Sequence, residues 1–311
     1  MAIINRRIAV VLLRIFCVAA IFSLIFSKVS LPAIDDFKTP LFASAFALSV
    51  GLNVFQAALC TFRWRYIAKS ISNPPAFGTS FWAYLEGCFF NQALPSFVGG
   101  DAVRVIRWRE SGIPTVQAAT SVLLDRVFGA IGAAGLASVA CVLMWNRPVE
   151  TYKILSTLAL ASVVLLGSVV FFFILHWSFV YTRLVRFPRV HSFLSTISKW
   201  SPSAWSASFL VLLGIFGQVL SGIAVYVLGR ALSIDLPLSM LVSVTGIILL
   251  LSMIPISFAG WGVREAGFIA LLAPLGVSNS QALALGICFG LSTLVGALPG
   301  GLSILLGFAR R

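Results

Sequence analysis

Seven charged side chains stand inside or beside stretches that are otherwise apolar: Glu86, Asp101, Arg104, Asp125, Arg126, Arg264 and Glu265. A charge at mid-bilayer costs about 2.5–3.5 kcal/mol on insertion scales, so a chain that carries several has a use for them. The arginines offer planar forks of N–H donors matched to phosphate oxygens. Asp101 and Arg104 lie three apart and can pair on one helix face. Asp125 and Arg126 are adjacent, point in different directions and need partners on other helices. The chemistry this suggests is recognition of an anion at the midplane; ion pairs that close the fold are the other use of the same groups. Arg104, Arg264, Asp101, Asp125, Arg126, Glu265 and Glu86 are therefore the candidate substrate-binding residues.

Two of these arginines sit in an echo. Residues 94–104 read L-P-S-F-V-G-G-D-A-V-R and residues 254–264 read I-P-I-S-F-A-G-W-G-V-R. Without a gap, Pro95 falls on Pro255, Gly100 on Gly260, Val103 on Val263 and Arg104 on Arg264. Proline removes a backbone donor and glycine loosens a helix, so Pro95, Gly99, Gly100, Pro255, Gly260 and Gly262 are expected to mark helix breaks. Each half-helix starting at a break aims free N–H groups and a positive dipole end toward it. Paired interruptions in two halves of a membrane protein point to a substrate site.

The elements that position these residues follow from composition. Of 311 residues, 59% are hydrophobic and 10% charged, and the mean hydropathy is +1.03. This is an all-α, polytopic helical membrane protein; a β-barrel would show short alternating strands. Apolar runs at 8–27, 41–62, 118–145, 154–177, 205–228 and 281–308 predict about six full spans. Two broken or re-entrant pairs, 79–109 and 238–273, complete the set. The net charge of +13 comes from basic residues at helix ends, so it speaks for lipid and orientation and not for nucleic acid. Fourteen Lys and Arg fall on the inner side and five on the outer; the inner set includes Arg63, Arg65 and Lys69 after the second span. Both termini are thus expected in the cytoplasm.

The whole chain, 1–311, is expected to be one membrane domain made of two inverted repeat halves, 1–145 and 154–308, with 181–203 as a cytoplasmic connector. Gly112-Ile113 and Gln117-Ala118 match Gly276-Val277 and Gln281-Ala282 at the start of the span after each break. Gly129, Ala133, Ala137, Gly286, Gly290, Gly296 and Gly300 lie at helical spacing and read as close helix packing. The five cysteines show no metal-ligand spacing, and no metal or cofactor is expected.

The runs N-Q-A-L-P-S-F-V-G-G-D-A-V-R, S-G-I, A-T-S-V-L-L-D-R-V-F-G and I-P-I-S-F-A-G-W-G-V-R-E-A-G resemble the lysylphosphatidylglycerol synthase transmembrane-region family, also called flippase-like or dolichol-phosphate-glucose-synthetase-like. The resemblance implies lipid transport in a bacterial cytoplasmic membrane and carries a role onto Asp101, Arg104, Asp125, Arg126, Arg264 and Glu265. With no soluble transferase half in this sequence, synthesis of lysylphosphatidylglycerol is not expected, and the protein is read as a non-enzyme. The expected function is a flippase moving a lipid with a phosphate-bearing or otherwise polar headgroup between leaflets; membrane lipids are its partners, and no oligomeric state is implied. Two alternatives stay open. One is a membrane transferase acting on a polyprenyl-phosphate-linked sugar, which would want acidic residues around a divalent metal. The other is a non-transporting partner in envelope assembly.

Overall fold

The structure, a computed structural model, describes residues 39–93, 97–144, 195–197, 200–252 and 260–305. The major helices are α1 (Pro40–Ala68), α2 (Phe77–Ala93), α3 (Phe97–Glu110), α4 (Thr115–Met144), α5 (Ala204–Ala231), α6 (Leu238–Ser252), α7 (Val263–Leu272) and α8 (Asn279–Leu305). No strand occurs among the described residues. Local sequence sets the starts. Thr39 caps α1 by accepting the Phe42 N–H at 3.1 Å, with Pro40 in the first turn. Ser203 caps α5 in the same way through Ser206. Ser278 and Gln281 form a reciprocal capping box ahead of α8.

Among the described residues, four helices are long and apolar enough to cross a membrane: Pro40–Ala68, Thr115–Val139, Ala204–Ala231 and Asn279–Ile304. At 1.5 Å per residue the first is about 43 Å long, more than the ~30 Å hydrocarbon core. These correspond to the expected spans at 41–62, 118–145, 205–228 and 281–308. The protein is a polytopic helical membrane protein. The expected spans at 8–27 and 154–177, and most of the connector 181–203, lie outside the described residues, as do Pro95 and Pro255.

Helix α1 runs past its expected end at residue 62. Trp64, Ile67 and Ala68 are buried, and that burial carries the helix on and takes Arg63 into the interior. Helices α2 and α6 have 17 and 15 residues, about 25 and 22 Å, short of a full crossing. Helix α3 starts at Phe97, so Gly99 and Gly100 belong to its first turn. Gly100 serves close packing: a Cβ there would stand 2.0 Å from the Gly87 carbonyl oxygen. In the second interruption Gly260 and Gly262 adopt φ of 80° and 86°, a region that favours glycine.

The two interrupted segments end alike. Gly112 and Gly276 take φ of 89° and 84°. The Ile113 N–H reaches back to the Trp108 carbonyl at 3.0 Å, and the Val277 N–H to the Leu272 carbonyl at 3.3 Å. Both closures are of the Schellman kind. Packing repeats the likeness: exchanging α1–α4 with α5–α8 turns α2–α8 into α6–α4, α4–α5 into α8–α1 and α3–α4 into α7–α8, and all of these are contacts. Helices α1 and α5 face each other antiparallel, Gln56 meeting Gly217 and Tyr66 meeting Ser206.

Candidate functional site

Asp125, on α4, is the hub of a buried ion cluster. One carboxylate oxygen accepts from Arg63 Nε at 2.8 Å, the other from Arg104 Nη2 at 2.8 Å. Arg63 also donates to the Asp125 backbone carbonyl at 3.2 Å. All three side chains are almost fully buried. Arg104 lies 4.1 Å from the Trp64 ring centre and 4.5 Å from that of Tyr84, and Trp64 stacks on Trp108 at 3.8 Å. Desolvated cation–π contacts of this kind are worth about 2 kcal/mol. Arg104 is thus held by two aromatic rings and by the Asp125 carboxylate.

Arg126 is placed differently. Its Nε donates to both oxygens of Asp101, at 3.1 and 2.9 Å. Asp101 also stands 3.6 Å from Arg104, so the expected Asp101–Arg104 pair exists but is the longer of the two. The Arg126 side chain remains 37% exposed, and its two terminal nitrogens bond no described residue. The separation expected for Asp125 and Arg126 holds in detail: one turns to Arg63 and Arg104, the other to Asp101.

Glu86 is fully buried on α2. It accepts from Arg107 Nη2 at 3.0 Å and from the Ser303 hydroxyl at 3.0 Å. This pins α2 to both α3 and α8. Arg264 forms a separate centre. It donates to its chain neighbour Glu265 at 2.8 and 3.0 Å and packs 4.5 Å from the Trp261 ring centre. Glu265 in turn accepts the Gly262 N–H and caps α7.

A cavity of about 280 Å³ opens between α1, α2, α3, α4, α5 and α8. Arg63, Arg104, Asp125 and Arg126 line one side of it; Asn53, Gln56 and Gln218 belong to its neutral polar wall. Asp101 stands behind Arg126. Arg264, Glu265 and Glu86 are not among the lining residues. The structure therefore brings Arg104, Asp101, Asp125 and Arg126 together and places Arg264 at a second position, against Phe289 and Gly290 of α8.

Arg63 is the participant that sequence reasoning missed. Counted with Arg65 and Lys69 it looked like an inner-face cation; the structure corrects this, since it is 4% exposed and bonded to Asp125. Arg104 belonged to the same count and is buried too. The available signal was helical spacing: Gln56, Cys60 and Arg63 share one face of α1. Two of the expected packing glycines also seat arginines. A Cβ on Gly129 would come 3.3 Å from Arg63 Nη2, and one on Gly290 would come 2.0 Å from Arg264 Nη2.

Fold and site together define a helical membrane protein with a charged cavity among its helices. The chain belongs to the lysylphosphatidylglycerol synthase TM region family, which matches residues 8–300. No curated protein matches the sequence.

Proposed function

We propose that the protein is a lipid carrier that takes an anionic, phosphate-bearing headgroup through this cavity while the acyl tails stay in the bilayer. The observation that carries the reading is an excess of cation. Arg63, Arg104 and Arg126 share two carboxylates, Asp101 and Asp125. One guanidinium charge in a low-dielectric interior is left to be balanced, and an uncompensated buried charge is expensive. A phosphate on the open edge of Arg126 balances it with a two-pronged hydrogen bond. The volume suits a headgroup and stands at the lower end of ligand sites.

The exchangeable packing of α1–α4 and α5–α8 and their matching turn glycines support reading the halves as an inverted repeat with re-entrant α2–α3 and α6–α7 pairs, an architecture suited to alternating access. We place the chain in a bacterial cytoplasmic membrane with both termini inside. An anionic headgroup moving outward there gains about 2.3 kcal/mol per charge per 100 mV. The carboxylates at the site are bound to arginines, so none is free to hold a metal for a transferase step.

The test is leaflet-resolved quenching of a fluorescent phosphatidylglycerol in phosphatidylcholine vesicles containing the purified protein. Wild type is expected to accelerate transfer, and Arg126→Ala to return it to the rate of protein-free vesicles. Transfer by Arg126→Ala at the wild-type rate contradicts the proposal.

A further inference from the structure

The neutral wall of the cavity carries information about the headgroup beyond its phosphate. Asn53 donates through Nδ2 to the Ser49 carbonyl at 2.9 Å, Gln56 through Nε2 to the Gly217 carbonyl at 2.8 Å, and Gln218 through Nε2 to the Gly129 carbonyl at 3.3 Å. A backbone carbonyl only accepts, so these partners fix which end of each amide is nitrogen. The three side-chain oxygens accept no hydrogen bond from the described residues. None of them is among the sealed, unpartnered atoms of the interior, so each stays accessible on a residue that lines the cavity. Three acceptors thus belong to the same cavity as the open edge of Arg126.

Acceptors take either a hydroxyl or an ammonium group. Charge decides between them. The cavity has no unpaired carboxylate among its described lining residues, and Arg63, Arg104 and Arg126 outnumber the acids. With the phosphate balancing Arg126, an ammonium would restore an uncompensated cation in a buried space, whereas hydroxyls fill the acceptors at no cost in charge. We infer that the lipid carried is a phosphodiester of net charge −1 whose headgroup is a neutral polyol or sugar, and that amine-bearing headgroups, including aminoacylated ones, are excluded. This rests on the carrier reading above and names its substrate class. Phosphate oxygens meet the Arg126 Nη groups, and headgroup hydroxyls donate to Asn53, Gln56 and Gln218.

Four fluorescent lipids separate the contributions in the vesicle assay: phosphatidylglycerol, phosphatidylmethanol, phosphatidylethanolamine and lysylphosphatidylglycerol. The glycerol lipid should move fastest. Phosphatidylmethanol keeps the charge but lacks hydroxyls, and should be slower by about tenfold, the equivalent of one or two hydrogen bonds. The two amine lipids should be slower still. Gln218→Glu, which supplies a free carboxylate, should reverse the ranking of phosphatidylethanolamine and phosphatidylglycerol. Equal rates for phosphatidylmethanol and phosphatidylglycerol would overturn the hydroxyl assignment, and amine lipids keeping pace with phosphatidylglycerol would overturn the charge assignment; either leaves transport itself standing. If none of the four moves faster than in protein-free vesicles, the carrier reading fails and takes this inference with it.

Discussion

At the scale of residues, the arginines differ in what they are free to do. Arg63 and Arg104 are bonded on Asp125 and sealed from solvent, whereas Arg126 is tied by one edge and open at the other. Breaking a buried ion pair from one side costs about 3–5 kcal/mol. Asp125→Asn strands two guanidinium groups, so it should lower the detergent melting temperature sharply. Arg126→Ala should lower it less, because the side chain is 37% exposed and its loss removes only the Asp101 contact. A melting scan of both variants checks the contrast. Arg264→Met leaves Glu265 buried and should destabilise by about 3 kcal/mol by the same argument, with the ranking of transported headgroups unchanged. Charged residues in apolar surroundings are easy to see in a sequence, which is why Asp101, Arg104, Asp125 and Arg126 were legible. Which guanidinium keeps free donors depends on how α1, α3 and α4 come together, and no local pattern encodes that. Arg63 hid beside Arg65 and Lys69, where a basic cluster at a helix end already had an explanation.

At the scale of elements, glycines decide how near the helices come. A Cβ on Gly300 would stand 2.3 Å from the Leu85 carbonyl carbon, and one on Gly132 would stand 2.3 Å from that of Gly214. Small residues let membrane helices approach closely, and van der Waals packing drives their association. Gly300→Leu should separate α8 from α2, strip the Ser303 hydroxyl from Glu86 and abolish the monodisperse peak in size-exclusion chromatography. Gly51→Leu meets nothing within 4 Å and should elute as wild type. The long helices were readable because twenty or more apolar residues admit few other structures. Break positions were less so. Proline and glycine signal an interruption somewhere nearby, but Gly99 and Gly100 sit inside α3, and their spacing alone cannot tell a hinge from a contact surface.

At the scale of the whole molecule, the cavity draws walls from both sets of four helices and holds more cation than anion. Its field should be visible to any charged probe that enters, since a low-dielectric enclosure strengthens electrostatic attraction. Cys88 lines the cavity and serves as the reporter. In a variant keeping Cys88 as its only cysteine, an anionic sulfonate thiol reagent should react faster than a cationic ammonium reagent, and added phosphatidylglycerol should slow it. The reverse order of reactivity would mean the cavity attracts cations. Self-similarity at 94–104 and 254–264 was the sequence's ground for expecting paired halves. The difference between α1–α4 and α5–α8 did not show there: Arg126 reaches across to Asp101 on another helix and stays open at its far edge, whereas Arg264 pairs with its own chain neighbour Glu265.

The most direct measurement is a density map of the protein in nanodiscs of phosphatidylglycerol. A phosphate within about 3 Å of the Arg126 terminal nitrogens, inside the cavity, is the predicted result. A cavity that holds only acyl chain or water, with lipid phosphates confined to the outer belt, would contradict it.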